Sequence, residues 1–253
     1  MIARIEPDDR ALASPLGRVS PLLKLGIALF WFLALAFTTR IGPPLALAAI
    51  VLLLAVVVGR VHPARLASAV LPLWLIALSI GAFNALFASV NTSEIAIEVV
   101  RLGPFRLTEP AIAAGLGLAA RVIAVAAIGV TFAQTTDSTR LVDSLVQQGR
   151  VPERFAYGAL AAYQAVPRFA EDLTTLRQAR RIRGLRGEWH PRVLVGLLVL
   201  AIRHGDRLAL AMDARGFGSG PRTRYREVRW TGLDVAAIVI AGAVVVGALI
   251  VPR

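Results

Sequence analysis

Ile182-Arg183-Gly184 and Ala214-Arg215-Gly216 stand 32 positions apart, and each closes a segment of helical pattern. A guanidinium is a permanent cation with a forked set of donors, so it suits recognition of a carboxylate or phosphate. The parts needed for bond-making chemistry are missing around it. There is no cysteine, which removes disulfides, thiolate metal sites and thiol nucleophiles together. His62, His190 and His204 share no metal-ligand spacing with one another or with carboxylates, so no metal and no cofactor is expected. No G-x-x-x-x-G-K-[ST] is present, and the glycine-rich GFGSG at 216–220 follows a helix where a phosphate loop would follow a strand. A G-x-S-x-G elbow is also absent. The remaining enzymatic alternative is a membrane-embedded transferase acting on an anionic lipid substrate through the arginines. It would lack the paired acidic metal ligands such chemistry uses. A pI near 11.6 suggests nucleic acid, but few aromatics accompany the basic residues as a stacking platform, and no nucleic-acid partner is expected.

The elements that must position these arginines are two amphipathic helices. Phe155, Ala159, Ala162, Val166, Phe169, Leu173 and Leu176 recur at steps of three or four and share one helical face. Pro152 suits the first turn of that helix, and Pro167 is expected to kink or interrupt it. Gly184 is a natural stop. Val193 to Ile202 is an apolar run too short to span a bilayer; its helix continues to a second stop at Gly216. Arg180, Arg181 and Arg186 are expected to meet solvent or lipid headgroups.

Around this segment the chain is a membrane protein. It is 57% hydrophobic with 17% charged residues and a mean hydropathy of +0.67. Leu25–Thr39, Ile41–Gly59, Leu66–Ser93, Val122–Thr136 and Val235–Pro252 are uncharged runs. They predict an all-α polytopic protein with five crossings, the shortest extended by end residues such as Lys24, whose stem would snorkel. The N-terminal MIARIEPDDR carries acids beside its basic residues and no small-residue cleavage site, so no removable signal is expected. Of the net charge of +12, eight units fall between Asp137 and Arg229. The positive-inside rule places that segment in the cytoplasm and, by alternation, Asn91 to Glu109 outside. The expected organisation is a membrane domain at 1–136, a cytoplasmic domain of long amphipathic helices bearing the two Arg-Gly motifs at 137–229, and a final crossing at 230–253. Thr108 and Pro110 open the fourth crossing, which carries Arg121 near mid-membrane. Arg121 is expected to turn inward as a structural residue, since facing lipid costs about 3 kcal/mol. Gly115 and Gly117 would permit close helix approach. With Arg121, Asn84 and Thr131 so sparse, no substrate pocket is expected in this chain.

SPLLKLG before the first crossing, the run TTDSTRLVDSLVQQGRVPERFAYGALAAYQAVPRF, and then QARRIRG and AMDARGFG, in this order and spacing, resemble the transmembrane T component of energy-coupling factor (ECF) transporters, a branch of the ABC superfamily. The likeness covers roughly residues 12 to 220. Ile182 stands where that family usually has Ala, and Val19-Ser20-Pro21 where it has Asp-Pro-Arg. The resemblance implies a non-catalytic subunit of a vitamin or metal-ion importer in the cell membrane. It also implies that the two helices of 137–229 are coupling helices, docking the motifs 182–184 and 214–216 into two ABC-type ATPase subunits, one each, and that a separate small substrate-binding membrane subunit is present.

Overall fold

The computed structural model describes residues 9–38, 40–92, 97–102, 105–185, 190–218, 220 and 226–250. Ten helices appear among them: α1 (Asp9–Leu12), α2 (Pro15–Arg18), α3 (Pro21–Ala36), α4 (Gly42–Val57), α5 (Pro63–Leu86), α6 (Glu109–Thr135), α7 (Ser138–Gln147), α8 (Glu153–Ile182), α9 (Pro191–Ala214) and α10 (Gly232–Ile250). Proline opens six of them, at one of the first two positions of α2, α3, α4, α5, α6 and α9. There its missing N–H is one the helix could not have satisfied. Pro167 does not interrupt α8, which continues through it; the helix forgoes one hydrogen bond to the turn before.

The protein is an all-α membrane protein; among the described residues its helices are joined by one small hairpin, β1 (Glu98–Leu102) paired antiparallel with β2 (Phe105–Thr108). The chain divides into two compact units, Met1–Leu141 with Arg229–Arg253, and Val142–Val228. The first holds α1 to α6 and α10. Its interior is built from small side chains: Ala77, Ala111, Ala124 and Ala127 are fully buried, while Leu29, Leu33, Phe37, Leu53 and Leu75 stand exposed. Large apolar groups outside and alanine within is how helices pack in lipid, where close backbone approach matters more than burying bulk. Around α6, a core forms from Trp31 and Leu35 of α3, Leu47, Ala48 and Val51 of α4, and Ile128 of α6 itself. α5 and α6 cross at two glycines, where a Cβ on Gly115 would lie 2.5 Å from the Gly81 carbonyl oxygen. Among the described helices, Pro63–Asn91 and Glu109–Thr135 are long and apolar enough to cross a membrane, and α3 and α4 are shorter apolar helices of 16 residues.

Two expectations about single residues change. Lys24 does not snorkel: it is 9% exposed, and its Nζ donates to the Thr135 carbonyl oxygen at 2.7 Å. The last carbonyls of α6 have no partner inside their own helix, and a cation on the first turn of α3 satisfies one of them. Thr108 stands at the N-cap of α6, but its hydroxyl caps nothing there. It donates instead to Asn91 Oδ1 at 3.0 Å, and the Thr108 N–H reaches the same oxygen at 3.2 Å. Asn91 Nδ2 in turn donates to the Ala85 and Leu86 carbonyls at 2.7 and 3.2 Å, tying the hairpin to the end of α5.

The second unit comprises the end of α7, with α8 and α9. α8 and α9 run antiparallel: Leu176 lies against Gly196, Phe169 meets His204 edge-on with ring centroids 6.0 Å apart, and Tyr157 meets Phe217 at 6.4 Å. Val142, Ala156, Ala165 and Val193 are the buried apolar residues described in this unit. Most of the predicted apolar stripe is not covered. Phe155 is 77% exposed, Val166 is exposed, and so are Leu194, Leu198, Ile202 and Leu210 of α9.

Candidate functional site

Both Arg-Gly motifs are helix C-caps of the same design. At the end of α8, Arg183 is the C-cap, and Gly184 follows with φ +71°. The Gly184 N–H donates to the Arg181 carbonyl at 3.0 Å, and the Leu185 N–H to the Arg180 carbonyl at 3.2 Å. At the end of α9, Arg215 is the C-cap and Gly216 has φ +68°. The Gly216 N–H donates to Asp213 at 2.8 Å and the Phe217 N–H to Met212 at 2.9 Å. These paired bonds are the Schellman arrangement, which needs a left-handed residue after the cap, the conformation glycine adopts without a steric penalty. The spacing thus has a local physical cause: the glycine turns the chain away and leaves the preceding arginine as the last residue of a helix end.

Ile182, Arg183, Gly184, Ala214 and Arg215 are all exposed and Gly216 partly so, with Ile182 at 87%. The structure does not bring the two motifs together. Because α8 and α9 are antiparallel, the end of α8 lies beside the start of α9, and the end of α9 beside the start of α8. The 24 residues of α9 therefore separate Arg183 from Arg215 by about 36 Å at 1.5 Å per residue.

The supports of the two ends differ. Phe217 packs edge-on against Tyr157, whose hydroxyl donates to Asp143 Oδ1 at 2.8 Å. Arg154 Nη2 donates to the Gly218 carbonyl at 3.2 Å, and Gly218, at φ +77°, sits so close to the Arg154 side chain that a Cβ would collide with it. Gln147 holds the following segment, donating to the Arg226 carbonyl at 2.7 Å and accepting from the Val228 N–H at 2.9 Å. The sequence reading had not singled out Asp143, Tyr157 or Arg154. The signal available was the Phe-Gly directly after the second motif, absent after the first. Arg181 is exposed as expected, Arg180 is partly buried with its Nε enclosed, and Arg186 lies outside the described residues. In the membrane unit, Arg121 is half-buried, and its Nε has no hydrogen-bond partner among the described residues.

The family model for CbiQ, described as a cobalt transport protein, matches residues 13–225, a span that takes in both capped arginines and every helix from α3 to α9. The chain belongs to the CbiQ family. This CbiQ-family chain is 29% identical over 246 residues to an energy-coupling factor transporter transmembrane protein, EcfT, of Limosilactobacillus fermentum, covering 90% of this chain and 89% of that one. It is 28% identical to the EcfT of Heliobacterium modesticaldum, across 92% and 91% of the two chains. A protein of Bifidobacterium longum named as an ABC transporter ATP-binding protein is 25% identical over 254 residues; there the match spans 92% of this chain but only 31% of the longer relative.

Proposed function

We propose that this chain is the energy-coupling transmembrane subunit of an ECF-type ABC importer for a vitamin or metal ion. Arg183 and Arg215 each enter an acidic groove on a different one of two ATPase subunits. The helix pair α8–α9 then passes nucleotide-driven closure to a separate substrate-binding membrane subunit as a rigid-body movement. The basic segment containing both motifs faces the cytoplasm, and the chain crosses the cell membrane several times. One observation carries this reading: two identically capped, exposed arginines at opposite ends of one helical hairpin, about 36 Å apart. A single binding groove cannot engage both, whereas a pair of like subunits offers two. The uncovered apolar residues of α8 and α9 support the same reading, because a long exposed apolar face implies something to cover it.

The test is assembly. With its ATPases co-expressed, the parent chain is expected to co-purify with both. Arg183→Ala or Arg215→Ala is expected to weaken that association by about 2 to 5 kcal/mol, since each leaves buried acidic groups on the partner uncompensated. The double variant is expected to lose both ATPases. Single variants that assemble and transport like the parent would rule out docking through these arginines.

A further inference from the structure

Within the membrane unit, a cleft of about 190 Å³ opens between α3, α4, α6 and α10. Its walls are apolar: Ile27 and Trp31 from α3, Leu54 from α4, Phe132 from α6, Ala237 and Ile240 from α10. From Lys24 to Trp31 along α3 is about 10 Å of depth at 1.5 Å per residue. Only one end is polar. Lys24 and Thr131 line it there, each nine-tenths buried. Among the described residues Lys24 donates one hydrogen bond, to Thr135, although an ammonium carries three donors. Thr131 Oγ1 has no hydrogen-bond partner among the described residues.

Further basic groups stand around that end. Arg140 lies against it, its Nη1 and Nη2 donating to the Gly17 and Arg18 carbonyls at 2.8 and 3.3 Å, and Arg18 is exposed beside them. Asp234 lies there as well, and its carboxylate is occupied: Oδ1 accepts from the Ser20 N–H at 2.7 Å, and Oδ2 from the Thr231 N–H and hydroxyl at 2.7 and 3.1 Å. Lys24, Arg140 and Arg18 thus stand beside a carboxylate whose oxygens are already engaged, and Lys24 and Thr131 keep donors to offer. They sit where α3 and α10 begin and α6 ends, the level at which lipid headgroups lie.

We infer that this cleft holds one anionic phospholipid, its acyl chain between α3, α4, α6 and α10 and its phosphodiester accepting hydrogen bonds from Lys24 and Thr131. The apolar walls match the tail, and lipid is the solvent this unit stands in. The unfilled donors match phosphate oxygens, which a zwitterionic lipid also offers, while Lys24, with Arg140 and Arg18 beside it, favours net negative headgroups. This site is independent of the coupling role, since none of its residues belongs to α8 or α9.

The full chain, reconstituted in bilayers of equal phosphatidylglycerol and phosphatidylcholine and then stripped in detergent, would be examined by native mass spectrometry. One retained phospholipid per chain is expected, with phosphatidylglycerol enriched roughly tenfold over the bulk mixture. Lys24→Met is expected to keep the lipid but lose the headgroup preference. Thr131→Val, which preserves volume, is expected to lower retention several-fold. Ala237→Phe, which fills the cleft, is expected to abolish retention, with an unfolding temperature confirming that the chain is intact. The inference is overturned if the parent retains no lipid, if a fatty acid is retained instead, if Lys24→Met keeps the preference, or if folded Ala237→Phe retains lipid as the parent does.

Discussion

Gly184 and Gly216 show how a single backbone torsion makes a docking feature. Both sit at positive φ, and at Gly184 an added Cβ would meet nothing within 4 Å. Substitution there changes torsional preference without adding a collision, so the residues can be ranked by how well they accept a left-handed cap. Gly184→Asn is expected to assemble with the ATPase subunits near the parent level. Gly184→Val is expected to weaken assembly by about 1 to 2 kcal/mol, because a branched Cβ opposes that conformation and unwinds the turn bearing Arg183. Titrated co-purification reads the difference; equal loss in both variants would mean the glycine serves close approach to the partner and not the cap. At this scale the sequence was informative wherever a residue's job is local. Gly184 and Gly216 announced helix ends because the reason lies in their own torsions. Lys24 was read as snorkelling, and Asn91 and Tyr157 announced nothing, because their partners Thr135, Thr108 and Asp143 are set by tertiary packing.

Among the elements, the α5–α6 crossing has the most constrained geometry. A Cβ on Gly115 would fall 2.5 Å from the Gly81 oxygen and 2.8 Å from Ala85 Cβ, so the helices would have to part. Gly115→Leu is expected to destabilise the membrane unit by about 1 to 3 kcal/mol, seen as a lowered unfolding temperature in detergent. Gly129→Ala on the same helix meets nothing within 4 Å and is expected to leave that temperature unchanged or slightly raised. The apolar runs foretold α3, α4, α5, α6 and α10 because continuous hydrophobicity survives any packing arrangement. The hairpin β1–β2 was not foretold. Its strands span five and four residues, and alternation over so few positions is easily read as loop. The stripe on α8 was legible as periodicity, but periodicity says only that a face is apolar. Whether this chain or another molecule covers it is a separate matter, and here Phe155 and Val166 stay exposed.

For the molecule as a whole, charge placement carries the expected orientation. The absence of native cysteine lets single introduced thiols report it. With a membrane-impermeant thiol reagent on intact cells, Ile97→Cys, exposed beside the hairpin, is expected to be labelled, and Glu153→Cys at the start of α8 protected until the cells are opened. The reverse pattern would invert the protein and detach both arginines from any cytoplasmic ATPase.

The uninterrupted course of α9 between the two arginine ends makes residue count itself a specification. Each residue added within it would carry Arg215 about 1.5 Å further from Arg183 and swing it about 100° around the axis. A single insertion would leave both caps chemically intact yet aim one of them sideways. Seven would nearly restore the bearing, to within about 20°, but overshoot by about 10 Å. Insertions and deletions are therefore expected to be poorly tolerated throughout Pro191 to Ala214, even where the residue altered touches neither cap.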